Sequence, residues 1–207
     1  MQIGLIGGIG PAATDFYYRN LIRKFASEDV TLDMTIVLAD APILIKNLMD
    51  DNKDAQVAIY EGLTQRLKNA GAECVATTST AGHFCIKKFS EISVLQMVNL
   101  LSCVRTEVEN RVYKKIGILG TKQVMESRFY SAVQSAEMVL PERSLLEGAH
   151  KPYVKMATSG HASDGQKLVF EKACNQYIIK NKVDAVMLGG NDLALVYKAK
   201  KCQFYSC

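Results

Sequence analysis

An internal repeat is the feature of this 207-residue sequence that most constrains its fold. The apolar stretch at residues 3–7 (IGLIG) returns at residues 116–120 (IGILG). With the same shift, residues 14–17 (TDFY) are matched by residues 127–130 (SRFY). Each copy is a short apolar run followed by a loop and a helix-like segment. Two such openings with one spacing predict two related lobes that are built from the same supersecondary unit.

The rest of the chain alternates between strand-like and helix-like segments. Short apolar runs at residues 2–7, 74–77 and 183–188 are typical of buried strands, and longer segments with helical spacing separate them. This alternation predicts an α/β fold in which each lobe is a parallel sheet flanked by helices. We expect two pseudo-symmetric lobes, lobe 1 at residues 1–98 and lobe 2 at 99–190, with a cleft between them. The chain is expected to return to lobe 1 after lobe 2.

The second half of the chain has less regular patterns than the first. We predict a helix at about residues 125–135 and a weak strand at 137–140. A long irregular region that contains Gly148, Pro152 and Gly160 is expected to follow, since glycine and proline commonly interrupt regular structure.

The bulk properties exclude several classes of function. Hydrophobic residues make up 48% of the chain and charged residues 22%, as in ordinary globular proteins. The net charge is only +4 and the basic residues are spread along the chain, so we expect no nucleic-acid partner. The apolar run at residues 3–9 is too short to span a membrane and has no charged segment before it. This pattern predicts neither a membrane segment nor a signal peptide, and hence a cytoplasmic protein.

The cysteines predict neither disulfides nor a metal site. They show no CxxC pair and no metal-ligand spacing, and in a chain of this length without a signal peptide they are expected to be reduced thiols. The six residues are Cys74, Cys85, Cys103, Cys174, Cys202 and Cys207.

Small hydroxyl residues follow the strand predicted at residues 74–77. Because ligands of open α/β sheets bind at the carboxyl ends of strands, Thr78, Ser79 and Thr80 are candidates to receive a carboxylate or an oxyanion. Hydroxyl residues also fill turns and cap helices, and that alternative stays open. His83 could act as a general acid or base, or it could serve only as a capping or surface group.

The glycine loop after the first strand has two interpretations. Residues 8–13 (GIGPAA) fit the G-x-G-x-x-A form of a dinucleotide fingerprint, with Asp40 as the ribose-binding acid. Pro11 is unusual in such a loop, and Asp40 lies beyond the typical spacing of about 20 residues. The alternative is a tight strand-to-helix turn that needs glycine for its backbone conformation.

Four motifs resemble those of the aspartate/glutamate racemase superfamily, the cofactor-independent amino-acid racemases. Residues 3–14 are similar to its opening IGLIGGxGPxAT, and residues 70–73 (AGAE) correspond to its AGAD. Residues 119–130 resemble its LATxxTxxSxxY, and residues 183–189 (VDAVMLG) resemble its ADAVILG. The resemblance implies two pseudo-symmetric lobes with the site between them. It also implies a small acidic amino acid or related carboxylate as substrate, no cofactor, and the possibility of a homodimer.

The resemblance further implies two opposed cysteines, one in each facing loop, of which one removes the α-proton and the other returns it on the opposite face. Aligned without gaps, the family's C-N-T-A-H falls on residues 79–83 and its G-C-T-E falls on residues 189–192. Ser79 and Gly190 therefore stand where the two cysteines are expected. A serine hydroxyl is a poor base at neutral pH, and glycine has no side chain.

The expected function is therefore a racemase-like isomerase with altered or weak α-proton transfer; the alternative is an inactive relative that binds or senses a small carboxylate. The candidates for proton transfer are Ser79, His83 and Asp192, although Asp192 could instead be a helix-start acid. Lys46 could bind a carboxylate or be a solvated surface residue. The predicted substrate-binding residues are Gly8, Thr78, Thr80, Thr121, Gly190 and Asn191.

Overall fold

The computed structural model describes residues 1–197 and 204–206 of the chain. The chain divides into two compact units, Met1–Asn99 and Leu100–Cys207. The described residues beyond 190 belong to the second unit in this division, whereas the sequence prediction returned the chain to lobe 1. They stay with the second unit because a strand at Phe204–Ser206 pairs with the strand Ala185–Leu188. Cys202 and Cys207 lie outside the described residues.

The first unit is a four-stranded parallel sheet with helices between its strands. The strand order is β2-β1-β3-β4, and every neighbouring pair is parallel. The strands are β1 Gln2–Gly7, β2 Asp33–Leu38, β3 Cys74–Thr77 and β4 Gln96–Met97. The helices are α1 Pro11–Ser27, α2 Ala41–Met49, α3 Lys53–Asn69 and α4 Ile86–Ile92, with a 3-10 turn at Ala81–Cys85.

The second unit repeats this architecture. Its strand order is β6-β5-β7-β8, and these neighbouring pairs are parallel as well. The strands are β5 Lys115–Leu119, β6 Glu137–Val139, β7 Ala185–Leu188 and β8 Phe204–Ser206. The helices are α5 Leu100–Arg111, α6 Lys122–Glu126, α7 Arg143–Ser159 and α8 Asp164–Asn181, with a 3-10 turn at Asn191–Leu195.

The register of the central strands confirms that the two units are related. Ile3 of β1 pairs with Cys74 of β3, and its repeat counterpart Ile116 of β5 pairs with Ala185 of β7. One residue after each of β3 and β7, the chain makes the same backbone hydrogen bond. The amide of Thr78 donates to the carbonyl of Ile6 (3.0 Å), and the amide of Gly189 donates to that of Leu119 (2.6 Å). The next residues, Ser79 and Gly190, are thus equivalent by strand pairing as well as by motif.

Amphipathic helices cover the sheets and set the position of the loops. In the first unit α3 buries Val57, Tyr60, Leu63 and Leu67, which recur at three- and four-residue spacing and pack toward the sheet. No helix among the described residues is long and apolar enough to cross a membrane.

Two predictions for the second half of the chain are wrong. The helix expected at 125–135 is α6, which ends at Glu126, and residues 128–131 have positive φ angles of 51–57° that no right-handed helix allows. The region expected to be irregular is the helix α7, with Pro152 inside it. Its buried side chains recur at helical spacing and pack against α8, which outweighs the local effect of the proline.

The loop after β2 leads directly into α2. Asp40, considered above as a ribose-binding acid, caps this helix, since its Oδ1 accepts a hydrogen bond from the amide of Ile43 at 3.1 Å. The strand β4 is only two residues long and follows α4, which extends to Ile92.

Candidate active site at the strand-end loops

The first strand-end loop, residues 78–83, begins with a threonine whose hydroxyl forms hydrogen bonds within the protein. Thr78 Oγ1 lies 3.0 Å from Thr14 Oγ1 of α1 and donates to the carbonyl of Ile6 at 3.3 Å. This close approach of α1 depends on Gly7, where a Cβ atom would lie 2.6 Å from Thr14 Oγ1. The predicted binding residue Thr78 therefore joins the loop to the start of α1.

His83 is buried and neutral in the same loop. Its Nδ1 lies 2.8 Å from the carbonyl oxygen of Ser79, and because a carbonyl can only accept, Nδ1 carries the proton. The Nε2 atom is left with a lone pair, and it has no hydrogen-bond partner among the described residues. Burial lowers the pKa of His83 to about 4, and the bond to Ser79 opposes this only in part. His83 is thus a weak base held in its neutral form.

The hydroxyls of the first loop differ in their surroundings. Ser79 is half-buried, whereas Thr80 is 1% exposed and its Oγ1 has no partner among the described residues. Buried polar atoms in native proteins are nearly always paired, so Thr80 Oγ1 and the Nε2 of His83 are two places where a ligand or a water molecule is expected.

A polar cluster behind this loop was missed at the sequence level. Asn47 Nδ2 donates to Gln56 Oε1 at 3.2 Å, and Tyr60 lies near Gln56, all in the buried interior. The Tyr60 hydroxyl lies against Gly82, where an added Cβ would overlap it. Gln56 and Tyr60 lie one helical turn apart, and that spacing of a polar and an aromatic residue is the signal that could have identified them.

The buried cysteines of the first unit do not replace the missing thiol. Burial raises the pKa of Cys85 to about 12, and burial is also the main reason that the pKa of Cys74 is raised. Only the thiolate form of cysteine is a strong base or nucleophile, and both residues are therefore held in the inert thiol form.

The second strand-end loop, residues 189–194, contains no side chain at the position equivalent to Ser79. The space beside Gly190 is taken by the ring of Tyr153 from α7. A Cβ atom at residue 190 would overlap the Tyr153 hydroxyl oxygen and would lie 2.6 Å from its Cζ and 2.9 Å from its Cε2. Such distances do not occur between nonbonded atoms, so glycine at position 190 and tyrosine at position 153 fit together.

Tyr153 is paired with the predicted acid of this loop. Its hydroxyl donates to Asp192 Oδ2 at 3.1 Å, and the two residues are 4% and 3% exposed. Burial first, and then the negative charge of Asp192 and the hydrogen bond to it, hold the pKa of Tyr153 well above its usual value. Asn191 is buried beside them at 1% exposure. Sequence reasoning missed Tyr153 because it lies in α7, which was predicted to be irregular.

A left-handed turn approaches this pair. The residues from Arg128 to Ser131 all have positive φ, and Phe129 anchors them with no exposed surface. Tyr130, whose amide donates to Ser127 Oγ at 3.0 Å, lies close enough to raise the pKa of Tyr153 further. Strained non-glycine backbone of this kind concentrates at functional sites.

The remaining predicted residues have structural roles or lie at the surface. Thr121 caps α6, since its Oγ1 accepts from the amide of Val124 at 3.2 Å. Gly8 has φ of 149°, and a Cβ there would lie 2.9 Å from a methyl group of Leu44. Gly8 is therefore required by the turn. Lys46 is exposed and forms an ion pair with Asp50.

The predicted residues thus gather in two loops. Thr78, Ser79, Thr80 and His83 lie in the first, and Gly190, Asn191 and Asp192 lie in the second, while Gly8 and Thr121 follow the strands β1 and β5. Among the described residues there is no group of three His, Cys, Asp or Glu side chains that could hold a metal ion.

An apolar cavity of the second unit is separate from these loops. Its volume is about 220 Å³, and it is bounded mainly by apolar side chains of α5, β5 and β7. None of the predicted site residues lines it, and we do not include it in the candidate site. Its boundary includes Leu100, Val104, Val108, Tyr113 and Met187.

Solved structures with the same fold include amino-acid racemases. An aspartate racemase homologue of Pyrococcus horikoshii superposes with a TM-score of 0.77 at 21% identity, covering 99% of this chain and 92% of that one. The aspartate racemase of Picrophilus torridus gives 0.72 at 18% identity, with coverage of 99% and 88%. The glutamate racemase of Francisella tularensis, solved with D-glutamate, gives 0.66 at 16% identity, with coverage of 94% and 70%. At these identities the likeness concerns the fold.

The sequence itself carries the family relationship. A family model described as Asp/Glu/Hydantoin racemase matches residues 6–204, nearly the whole chain, and it confirms the resemblance read from the four motifs. With its two related parallel-sheet units, this chain belongs to the Asp/Glu/Hydantoin racemase family.

Proposed function

We propose that this protein is a racemase-like isomerase that transfers the α-proton of a small acidic amino acid or related carboxylate without a cofactor and without thiols. The observation that carries the proposal is that each of the two equivalent loops holds a buried group able to carry a proton. In the first loop this group is His83, and in the second it is the pair Tyr153 and Asp192. Family membership supplies the reaction class.

The first loop supports the binding of an anion. Ser79 is half-buried, and Thr80 has a buried hydroxyl with no partner among the described residues. A substrate carboxylate that accepts hydrogen bonds from these hydroxyls would satisfy that donor. Ser79 is proposed as a binding group and His83 as the group that handles the proton, because a serine hydroxyl is too weakly acidic to supply an alkoxide at neutral pH.

The same groups predict slow turnover. A base with a pKa of about 4 is poorly matched to the removal of a carbon-bound proton at neutral pH, because proton transfer is most efficient when the catalytic pKa is near the operating pH. We therefore expect a rate well below that of a family member with two cysteines.

A second candidate function has a specific observation in its favour. Gly190 has no side chain, and Tyr153 fills the volume beside it. A cysteine side chain would therefore not fit at position 190. This arrangement favours an inactive relative that binds or senses a small carboxylate.

Two measurements on the purified protein separate these functions. Aspartate, glutamate and related carboxylates are incubated in deuterated water and followed by NMR for loss of the α-proton, and the same compounds are titrated by calorimetry. Exchange of the α-proton supports the isomerase, and binding without exchange supports the sensor. If no compound binds or exchanges, both functions are rejected. A Ser79→Ala variant should bind more weakly, and the exposed Thr158→Ala variant is the control.

The assembly is a further part of the proposal. We expect a homodimer, as the family resemblance implies, and light scattering at several concentrations tests it. We also expect exchange to survive dialysis against a chelator, and loss of exchange on dialysis would contradict cofactor-independent chemistry.

A further inference from the structure

We propose that Tyr153 and Asp192 act together as one acid/base group, with the phenol oxygen in contact with the reacting carbon of the substrate. This inference rests on the proposed isomerase function and names the second of its two proton-transferring groups.

The position of the Tyr153 phenol supports this proposal. Strand pairing makes Gly190 equivalent to Ser79, whose side chain carries a hydroxyl. A Cβ atom at residue 190 would overlap the Tyr153 hydroxyl oxygen, and the Tyr153 Cζ lies 2.6 Å from that point. A polar atom therefore occupies the place of the absent side chain, although it comes from α7.

Packing holds the ring of Tyr153 rigidly in this position. The ring of Tyr153 packs edge-to-face against Phe170 of α8, with centroids 6.4 Å apart and an interplanar angle of 86°. Phe170 is fully buried, and Tyr153 is 4% exposed. A ring held by such packing keeps its hydroxyl in one position, as a proton-transferring group requires.

Tyr153 and Asp192 can transfer the proton together. The α-proton of the substrate moves to the Tyr153 oxygen, while the hydroxyl proton of Tyr153 moves to Asp192 Oδ2, 3.1 Å away. The electron pair of the broken C–H bond stays on the substrate, and the negative charge passes from Asp192 to the substrate. The reverse movement returns a proton to the carbon. No phenolate forms along this route, so the burial that raises the pKa of Tyr153 does not prevent it.

The test measures α-proton exchange separately for each enantiomer in deuterated water. In a two-base site, the loss of one group abolishes exchange of the enantiomer whose α-proton faces that group and leaves exchange of the other. Tyr153→Phe is expected to reduce exchange of one enantiomer about 100-fold or more while the other keeps its rate. Tyr177→Phe is the matched control, because it removes another buried hydroxyl of this unit, one that donates to Ile118 at 2.8 Å.

A second variant keeps the test decisive if Tyr153→Phe does not fold. In Asp192→Asn the amide oxygen can still accept the hydrogen bond of Tyr153, but it cannot take up a proton at neutral pH. We expect the same loss for one enantiomer only. Wild-type rates for both enantiomers, or an equal loss for both, would overturn the proposed pair and leave the isomerase function standing. A wild-type protein that exchanges neither enantiomer would reject the isomerase function itself.

Discussion

The two strand-end loops share a backbone and differ in the side chain that fills one position. Each loop begins with the same hydrogen bond to the neighbouring strand and continues into a 3-10 turn. In each, a tyrosine hydroxyl lies against a glycine, but the glycine is Gly82 in the first loop and Gly190 in the second. Gly82 lies three residues beyond Ser79, whereas Gly190 is the equivalent of Ser79 itself.

This difference shows what a duplicated fold preserves. Strand pairing sets the backbone of both loops, and it does so whatever the side chains are. The helix that packs on each loop decides which space is open. Tyr60 comes from α3 and leaves the side chain of Ser79 in place, whereas Tyr153 comes from α7 and excludes any side chain at position 190.

The largest expected effect comes from adding a methyl group to each glycine. Gly190→Ala places a Cβ within 3.0 Å of three Tyr153 atoms, two of them ring carbons, and we expect it to lower the free energy of unfolding by more than about 3 kcal/mol. Gly82→Ala overlaps only the Tyr60 hydroxyl, with Cζ at 3.5 Å, and should cost less. Urea unfolding measures both.

Removing the hydroxyls sharpens this comparison. Tyr60→Phe should largely rescue Gly82→Ala, because only the oxygen is in the way. Tyr153→Phe should not rescue Gly190→Ala, because the ring carbons stay within 3.0 Å. Equal rescue in the two loops would contradict the packing described for Tyr153.

The next effect concerns His83 and pH. Its pKa is about 4 in the folded protein and about 6.5 when unfolded, so between these values only the unfolded chain binds the proton. The stabilisation is complete above about pH 6.5 and is lost as the pH falls toward 4, by on the order of 3 kcal/mol in total. Subtracting the unfolding profile of His83→Gln from that of the wild type isolates this change.

Two other histidines serve as references for this profile. Burial also lowers the pKa of the half-buried His150, which adds a loss in the same direction that persists in His83→Gln. His161→Gln, a change at an exposed position, is the control. A His83→Gln profile parallel to that of the wild type would show that His83 is not buried in its neutral form.

The two tyrosine hydroxyls should contribute unequally to the free energy of unfolding. Tyr153→Phe removes a hydrogen bond to the buried carboxylate of Asp192 and should cost about 2 kcal/mol, because hydrogen bonds to charged groups contribute more than those between neutral groups. Tyr60→Phe removes a hydroxyl that lies near the neutral Gln56 and should cost about 1 kcal/mol or less. Thermal unfolding of both single variants tests the difference, and an equal loss would argue against an ionised Asp192.

The smallest expected effect on stability concerns the first residue of each loop, Thr78 and Gly189. Thr78→Val removes the hydroxyl pair with Thr14 and should cost about 1 kcal/mol. The double variant with Thr14→Val should cost less than the two single changes together, since both single changes remove the same hydrogen bond. The second loop has Gly189 at this position and lacks the pair, so strictly additive losses would remove this distinction between the loops.

The sequence predicted most of the architecture and the two loops that hold the candidate residues, but it did not identify Tyr153. The repeat, the strands near residues 3 and 116, and the equivalence of Ser79 and Gly190 depend on local periodicity and spacing, which the chain carries residue by residue. The predictions failed at α6, which is shorter than the predicted helix and starts earlier, and at α7. In α7 the local signals, Pro152 above all, point away from a helix that becomes stable only through its buried face.

The sequence by itself therefore determined two related parallel-sheet units and the loops in which chemistry is expected. Only the tertiary structure decided what those loops contain. Tyr153 lies 37 positions before Gly190 in the chain, and packing alone brings its hydroxyl into the vacant space and onto Asp192. The neutral state of His83 is likewise set by burial, a property of the folded surroundings and not of the residue.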